Sequence, residues 1–188
     1  SSLEEVAKLL WSSSGSVDFT SRDHLSLQSS GRASAFKLLA EMAANGHSTH
    51  GRLIAVLHEE AQVLVGQVAS AFGAKQDLNQ ALHLRFAKGW KQTNEFAELL
   101  RKAMVLLADH ELTSSAFAAR IAASAGASLP SCLIAGLATL SGPLHGDASG
   151  RVHSLFEEVL RLGEDKVVDH YLSSALPITG FGHHLYPD

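Results

Sequence analysis

The sequence contains few of the residues on which several classes of protein depend. Its 188 residues include one cysteine, Cys132, four prolines and only 6% aromatic residues. A single thiol excludes a disulfide framework and any zinc site built from several thiolates, and it agrees with a reducing, cytoplasmic setting. Because Cys132 is followed by Leu133 and Ile134, we expect it to be a buried structural thiol.

Long apolar runs and an excess of positive charge are also missing. The apolar stretches at 104–108 and 132–140 are far shorter than the ~20 residues that span a bilayer, and the segment SSLEEVAKLLW lacks the basic region of a secretory signal. The formal net charge is −4, with 15 basic and 19 acidic residues, which does not favour a phosphate-binding surface. We therefore expect a soluble cytoplasmic protein without a membrane or nucleic-acid partner.

The spacing of the apolar residues is helical. Hydrophobic residues make up 46% of the chain, enough for a packed core, and they rarely alternate with polar ones as strands require. Two stripes with spacings of three and four stand out. The first comprises Leu53, Leu57, Ala61, Leu64, Val68 and Phe72, and the second Phe96, Leu99, Leu100, Ala103, Met104 and Leu107. Both are interpreted as core faces of an all-α fold.

Capping residues predict several helix boundaries. Thr113 and Ser114 are suitable N-caps for a helix over 115–125 that Gly126 ends, and the next helix follows over about 128–141. The small side chains of the 115–125 helix favour an internal or interface position. Other helices are predicted to start near residue 33 and to run over about 94–110, 149–162 and 165–175, and a loop is predicted over 12–30.

Three of the eleven histidines stand where the chain breaks. His110, His145 and His183 lie at helix ends or in glycine-flanked turns, where a side chain can face a cleft. The segment His47–His50 has two histidines at helical spacing but no third ligand, and His58 lacks the second histidine of a zinc-protease motif. The sequence therefore predicts no metal site, and a metal-binding role is only a distant alternative.

Four segments resemble successive signatures of the citrate synthase family. They are VLLADHEL at 105–112, FAAR at 117–120, AGLATLSGPLHG at 135–146 and GFGHHLYP at 180–187. Their order and separations also resemble those of the family, most clearly over 96–188, less over 32–72 and least over 3–11. The resemblance implies an all-α citrate synthase fold. Its large, dimerising domain would cover residues 1–145, and the beginning of a smaller domain would cover 146–188.

This resemblance also implies a reaction and its residues. Citrate synthases, enzymes of the tricarboxylic acid cycle, condense acetyl-CoA with the 2-oxo acid oxaloacetate, so CoA is substrate and product and no cofactor is held permanently. His145 would stabilise the enol at the thioester oxygen, His183 would polarise and protonate the 2-oxo carbonyl, and His110 would hold the oxo acid. The loop that resembles the adenine-wrapping segment for CoA comprises Leu176, Pro177, Ile178, Thr179, Gly180, Phe181 and Gly182.

The expected positions of two histidines agree with those roles. The positive end of a helix beginning just after His145 would disfavour an imidazolium there, so that a neutral donor faces the enolate. His110 is expected at the negative end of the 94–110 helix, between Asp109 and Glu111, where the protonated form would be favoured. A cation at that position can pair with a substrate carboxylate.

Some parts of the family pattern are altered or lie elsewhere. Thr113 stands where Asn is common, Asp147 where Gly is common and His184 where Pro is common, and Asp147 would disfavour anionic ligands near His145. The family continues beyond a position equivalent to Asp188 with a substrate-binding arginine and, later, the aspartate that abstracts the methyl proton. Either a C-terminal region follows, or this is a truncated catalyst.

Two interpretations remain for the function. The favoured one is an acyltransferase that uses acetyl-CoA, or a close acyl-CoA, and oxaloacetate or another 2-oxo acid. The alternative is a non-catalytic paralogue that keeps the fold and acts as a binding or partner subunit. The resemblance further implies a homodimer whose interface includes the helices over 94–110 and 113–125.

Overall fold

The computed structural model describes residues 1–19, 30–77, 79–175, 177–178 and 180. These residues form nine α-helices and no strand, which confirms the predicted all-α fold. The helices are α1 (Leu3–Leu10), α2 (Arg32–Ala44), α3 (Ile54–Ala71), α4 (Leu82–Gly89), α5 (Asn94–Leu107), α6 (Ser114–Ser124), α7 (Leu129–Leu140), α8 (Ala148–Leu162) and α9 (Glu164–Ser173). The helices predicted from 33 and over 115–125, 128–141, 149–162 and 165–175 are confirmed to within two residues at each of these ends. The predicted loop is non-helical over 12–19, and residues 20–29 lie outside the described part.

The chain divides into two compact units. The first is Ser1–Leu137, with α1 to α6 and most of α7, and the second is Ala138–Asp188, with the end of α7, α8 and α9. The domain limits implied by the family resemblance, 1–145 and 146–188, stay a prediction.

The core of the first unit combines small and large apolar side chains from helices that are distant in sequence. One cluster joins Ala7 of α1, Ala69 of α3 and Phe86 of α4, with Trp11 and Phe19 beside it. The Trp11 and Phe19 rings meet edge to face at 6.2 Å between centroids. A second cluster comprises Ala35, Leu38 and Ala71, against which Met42, Phe72 and Leu137 pack. The small residues allow the helix axes to approach closely.

A charged side chain is buried in this core. Arg85 of α4 is only 2% exposed; its Nε donates to the Lys75 carbonyl oxygen at 2.8 Å, and its Nη1 donates to that of Phe19. Burial lowers the pKa of Arg85, and the charges of Glu4 and Asp77 oppose this change. Because both carbonyls belong to irregular backbone, Arg85 connects two loops to one helix.

The two predicted apolar stripes are buried to different extents. Leu64 of α3 is buried and Phe72, the C-cap residue of α3, packs on the core, whereas Leu53, which precedes the helix, is 74% exposed. In α5, Leu100 and Met104 pack on the core, but Leu99 and Leu107 are more than 60% exposed. The interpretation of the second stripe as one core face is therefore wrong in part. Apolar residues occupy a wider arc of the α5 surface than the arc that packs against the rest of this chain.

Helices α6 and α7 and the loop after α2 are held together by small residues. A Cβ added at Gly136 of α7 would lie 3.4 Å from the Ala119 Cβ of α6. The Ser48 Oγ donates to the Gly126 carbonyl oxygen at 2.7 Å, and the Thr49 Oγ1 donates to that of Ala127 at 3.1 Å. The segment His47–His50 thus lies against the turn between α6 and α7.

Cys132 is buried at the start of α7, as the sequence predicted. It is 6% exposed, its Sγ lies 3.8 Å from the Ala127 carbonyl oxygen, and desolvation raises the pKa of its thiol. A raised pKa reduces the thiolate fraction at neutral pH, so Cys132 is unreactive by the usual criterion for a nucleophile.

Gly126→Ala is expected to destabilise the protein. Gly126 ends α6 with φ +76°, and a Cβ there would lie 3.3 Å from the His50 Cβ. The left-handed conformation alone costs a non-glycine residue about 1–2 kcal/mol, which urea denaturation can measure. Gly15→Ala is the matched control because Gly15 has no atom within 4 Å of an added Cβ. Equal stabilities of the two variants would contradict this account.

Candidate functional site

His145 lies in a tight turn between α7 and α8. Its backbone N–H donates to the Gly142 carbonyl oxygen at 3.0 Å, and its own carbonyl oxygen accepts from the Ala148 N–H at 3.0 Å. Because Ala148 is the first residue of α8, the His145 carbonyl takes part in the hydrogen bonding that starts the helix. The predicted position of His145, directly before a helix, is confirmed, and its side chain is partly buried.

Gly146 makes this turn possible. A Cβ at residue 146 would lie 2.6 Å from both the carbonyl oxygen and the Cδ1 of Leu140. A carbon cannot approach a backbone oxygen so closely, and the oxygen belongs to the last residue of α7. Glycine therefore lets the chain fold back against the end of α7, so that His145 is held between two helices. The sequence contains the glycine but no sign of its contact with Leu140.

Asp147 occupies the N-cap position of α8. It has φ −75° and ψ 0°, its side chain makes no capping hydrogen bond, and it is exposed. A carboxylate beside the N-terminal end of a helix is stabilised by the helix dipole, typically by about 0.3–1 kcal/mol. The negative charge of Asp147, which departs from the family pattern, therefore lies where the dipole of α8 stabilises it.

The described part of the predicted CoA loop approaches the same helix. Gly180 has φ +96°, and a Cβ at this residue would lie 3.0 Å from the Val152 Cγ2 in α8. Pro177 is exposed and Ile178 is 38% exposed. Within the second unit, the structure therefore brings residue 180 against the helix whose first turn follows His145.

His110 lies in the irregular connection between α5 and α6. The expectation that α5 runs to residue 110 is wrong, because the helix ends at Leu107 with Ala108 as its C-cap. The Asp109 carboxylate accepts the Glu111 N–H at 3.2 Å, and Glu111 adopts φ +57°. This side-chain hydrogen bond replaces the helical one. His110 is partly buried three residues beyond the helix, where the effect of the helix dipole is weaker than expected.

The other predicted site residues lie outside the described part of the chain. These are His183, Leu176, Thr179, Phe181 and Gly182. Their roles stay predictions.

The described residues contain neither a cluster suited to a metal ion nor a helix suited to spanning a membrane. No group of three or more His, Cys, Asp or Glu side chains in this part of the chain is arranged to hold a metal ion. Among the described helices, none has the length and apolar character that crossing a membrane requires.

Comparisons with known proteins define the class as that of all-α proteins with the citrate synthase fold. Residues 18–188 match the family of the citrate synthase C-terminal domain. Since this match covers most of the chain, the chain belongs to the citrate synthase family. Relatives described as putative citrate synthase 2, from Mycobacterium bovis and Mycobacterium tuberculosis, are 35% identical over 105 residues. That stretch is 54% of this chain but only 28% of theirs, so the chain covers a minor part of their length.

Solved structures agree with the family assignment. Citrate synthase from Thermotoga maritima is 25% identical, with a TM-score of 0.64, and the match covers 99% of this chain and 58% of that one. A ternary complex of carboxymethyl coenzyme A and oxaloacetate with citrate synthase from Thermoplasma acidophilum has a TM-score of 0.66 at 23% identity. That match covers 85% of this chain and 46% of the other, and it shows the shared fold.

Gly146→Ala is expected to disturb the turn that holds His145. The added methyl group must displace the Leu140 carbonyl, and such overpacking typically costs about 1–3 kcal/mol. Hydrogen exchange of the amides of residues 142–148 should become faster, and denaturation should show a loss of stability.

Gly150→Ala is a control that is expected to raise the stability of the protein, whereas Gly146→Ala lowers it. Gly150 lies inside α8 and only the Asp147 Oδ1, at 3.8 Å, comes near an added Cβ. Because Gly150 is in the first turn of α8, alanine there should stabilise by at most about 0.5–1 kcal/mol, the value for the middle of a helix. Unchanged exchange at 142–148 in Gly146→Ala would show that the turn tolerates a side chain.

Proposed function

We propose that this chain carries part of the active site of a citrate synthase-type acyltransferase. The enzyme would condense acetyl-CoA, or a close acyl-CoA, with oxaloacetate or another 2-oxo acid, giving citrate or an analogue and free CoA in the cytoplasm. The observation that carries the proposal is the glycine turn that holds His145 at the start of α8 in a chain of this family. The chain covers only part of its relatives, so the activity is proposed for the full-length gene product.

His145 is assigned to the acyl-CoA. Its side chain would donate a hydrogen bond to the thioester oxygen while a carboxylate base removes a methyl proton, so that the enol forms beside the N-terminal end of α8. Fixed backbone hydrogen bonds on both sides of His145 support this role, because an enol-stabilising donor must be held in place before the reaction. CoA enters as a substrate and leaves as a product, and no resident cofactor is needed.

His183 and His110 are assigned to the 2-oxo acid. The enol carbon would attack the ketone carbon, and the ketone oxygen would take a proton from His183. Water would then hydrolyse the thioester and release CoA. His110 would bind a carboxylate of the oxo acid, a role supported by its place in the irregular connection 108–113, where the backbone turns away from α5.

The loop at 176–182 is proposed to contact the adenine of CoA. The described residue Gly180 supports this by its contact with Val152 in the first turns of α8. The Thermoplasma acidophilum relative was solved with carboxymethyl coenzyme A and oxaloacetate, which are ligands of the two classes proposed here. The loop comprises Leu176, Pro177, Ile178, Thr179, Gly180, Phe181 and Gly182.

In the full-length protein, His145→Ala is expected to lower kcat by about 10²- to 10⁴-fold, the range for a positioned acid or base. His110→Ala should act largely through KM for the oxo acid, since its carboxylate partner is present before the reaction. Thiol release from acetyl-CoA, measured with and without the 2-oxo acid, checks both. His153→Ala is the control, because His153 is an exposed residue of α8 that pairs with Glu157.

Asp147→Gly distinguishes the acyltransferase from the non-catalytic alternative. The change removes a negative charge two residues from His145, so a competent site should gain activity or CoA affinity. If neither the wild type nor Asp147→Gly turns over substrate or binds CoA in calorimetry, the acyltransferase proposal fails and a binding subunit becomes the better account.

We also propose that the chain forms a homodimer through α5 and α6. No residue of α6 is buried, and Phe117 and Ile121 on its outer side are 50% and 53% exposed. On α5, Leu106 and Leu107 are 76% and 63% exposed. Adjacent exposed apolar residues of this kind mark interaction surfaces.

Ile121→Asp is expected to give a monomer where the wild type sediments as a dimer at micromolar concentration, because a buried unpaired charge opposes association. Leu160→Asp, on α8, is the matched control with 87% exposure and should leave the dimer intact. Analytical ultracentrifugation measures both. A monomeric wild type, or a dimeric Ile121→Asp variant, would refute the interface.

A further inference from the structure

The first unit contains an open pocket whose described lining residues include none of the candidate histidines. It has a volume of about 240 Å³ and lies where the N-terminal ends of α1 and α4 meet. Its walls include Ser2, Glu4, Asp18, Phe19, Gln80 and Arg85. The pocket is therefore lined by charges of both signs.

Arg85 lines this pocket and carries one hydrogen-bond donor that has no partner among the described residues. Its Nε and Nη1 atoms donate to the carbonyl oxygens of Lys75 and Phe19. The Nη2 atom is buried and has no hydrogen-bond partner in the described part of the chain. Burying a charged donor without a partner is costly. A ligand that places an acceptor oxygen beside Nη2 would remove this cost.

Glu4 carries a buried acceptor that lacks a hydrogen-bond donor. Its Oε1 accepts the Leu82 N–H at 2.7 Å and thereby caps α4, but its Oε2 is buried and, among the described residues, lacks a donor. Asp18 adds a second carboxylate at the exposed edge, where it accepts from the Ser16 Oγ at 3.3 Å. A ligand that places a positively charged donor here would satisfy Glu4.

We propose that this pocket binds a small molecule with both an ammonium and a carboxylate group, as a free α-amino acid has. Neither Arg85 Nη2 nor Glu4 Oε2 reaches the pocket surface in this structure, so both side chains must shift when the ligand binds. The ligand carboxylate then accepts from Arg85 Nη2, and the ammonium group donates to Glu4 Oε2 and faces Asp18. An anion alone would meet two repelling carboxylates, and a cation alone would leave Arg85 unpaired. The zwitterion matches both charges, and charge-assisted hydrogen bonds of this kind are the stronger ones.

Calorimetry of the purified protein with glycine, L-alanine and L-serine tests this site, and acetate and methylammonium serve as probes that carry one group each. At least one amino acid should bind saturably at millimolar concentration, and the single-group probes should bind at least about tenfold weaker, equivalent to ~1.4 kcal/mol. Absence of amino-acid binding, or equal binding of acetate, would overturn the proposal.

Substitutions of pocket residues test whether the amino acid binds in this pocket. Glu4→Gln keeps an oxygen that can cap Leu82 but loses the charge, and Asp18→Asn changes an exposed residue; each should weaken amino-acid binding several-fold without unfolding the protein. Glu41→Gln, an exposed residue of α2, is the control and should bind as the wild type does. Unchanged affinity in both pocket variants would exclude this pocket as the binding site.

Discussion

The close approach of Gly146 to the last residue of α7 is the constraint on which the candidate site depends. The chain leaves one helix and enters the next within seven residues, and the turn closes only because residue 146 has no side chain to meet the Leu140 carbonyl. The hydrogen bonds of the His145 backbone follow from this geometry. A histidine held by its backbone loses little freedom when it acts on a substrate, which is the requirement for a preorganised donor.

The polar side chains of the candidate sites lie at helix ends. His145 and Asp147 precede α8, His110 follows α5, and the carboxylate of Glu4 caps α4. Backbone N–H and carbonyl groups at helix ends have no partner within the helix, so side chains and ligands can bind there. An all-helical protein has few other places where backbone polar groups face a cleft. The buried Arg85 follows the same logic, because it binds two carbonyls of irregular backbone.

Helices α5 and α6 both expose large apolar side chains. Leu106, Leu107, Phe117 and Ile121 are all at least half exposed, while Ala97 of α5 is buried. A helix with apolar residues over so wide an arc is normally buried on more than one side. The chain also covers 58% of the Thermotoga maritima relative. The homodimer proposed through α5 and α6 would cover these side chains.

The sequence predicted well whatever depends on neighbouring residues. Helix α6 was predicted one residue from its observed limits, and the stop at Gly126 agrees with its φ of +76°. The end of α5 was predicted three residues too late, because an aspartate that could continue a helix instead accepts the Glu111 N–H. The side-chain hydrogen bond and the backbone hydrogen bond of a continued helix differ little in free energy. The periodic pattern of apolar residues therefore does not show which of them forms.

By itself, the sequence determined the all-helical class, most helix limits, the burial of Cys132 and the family, since periodicity, capping and motif order act over short distances. Only the tertiary structure decided which apolar stripe is covered, why Gly146 must be glycine and how Arg85 and Glu4 come to share a pocket. Those features join residues that are up to 81 positions apart. Contacts between such distant residues depend on how the helices pack, and packing is a property of the whole fold rather than of any segment.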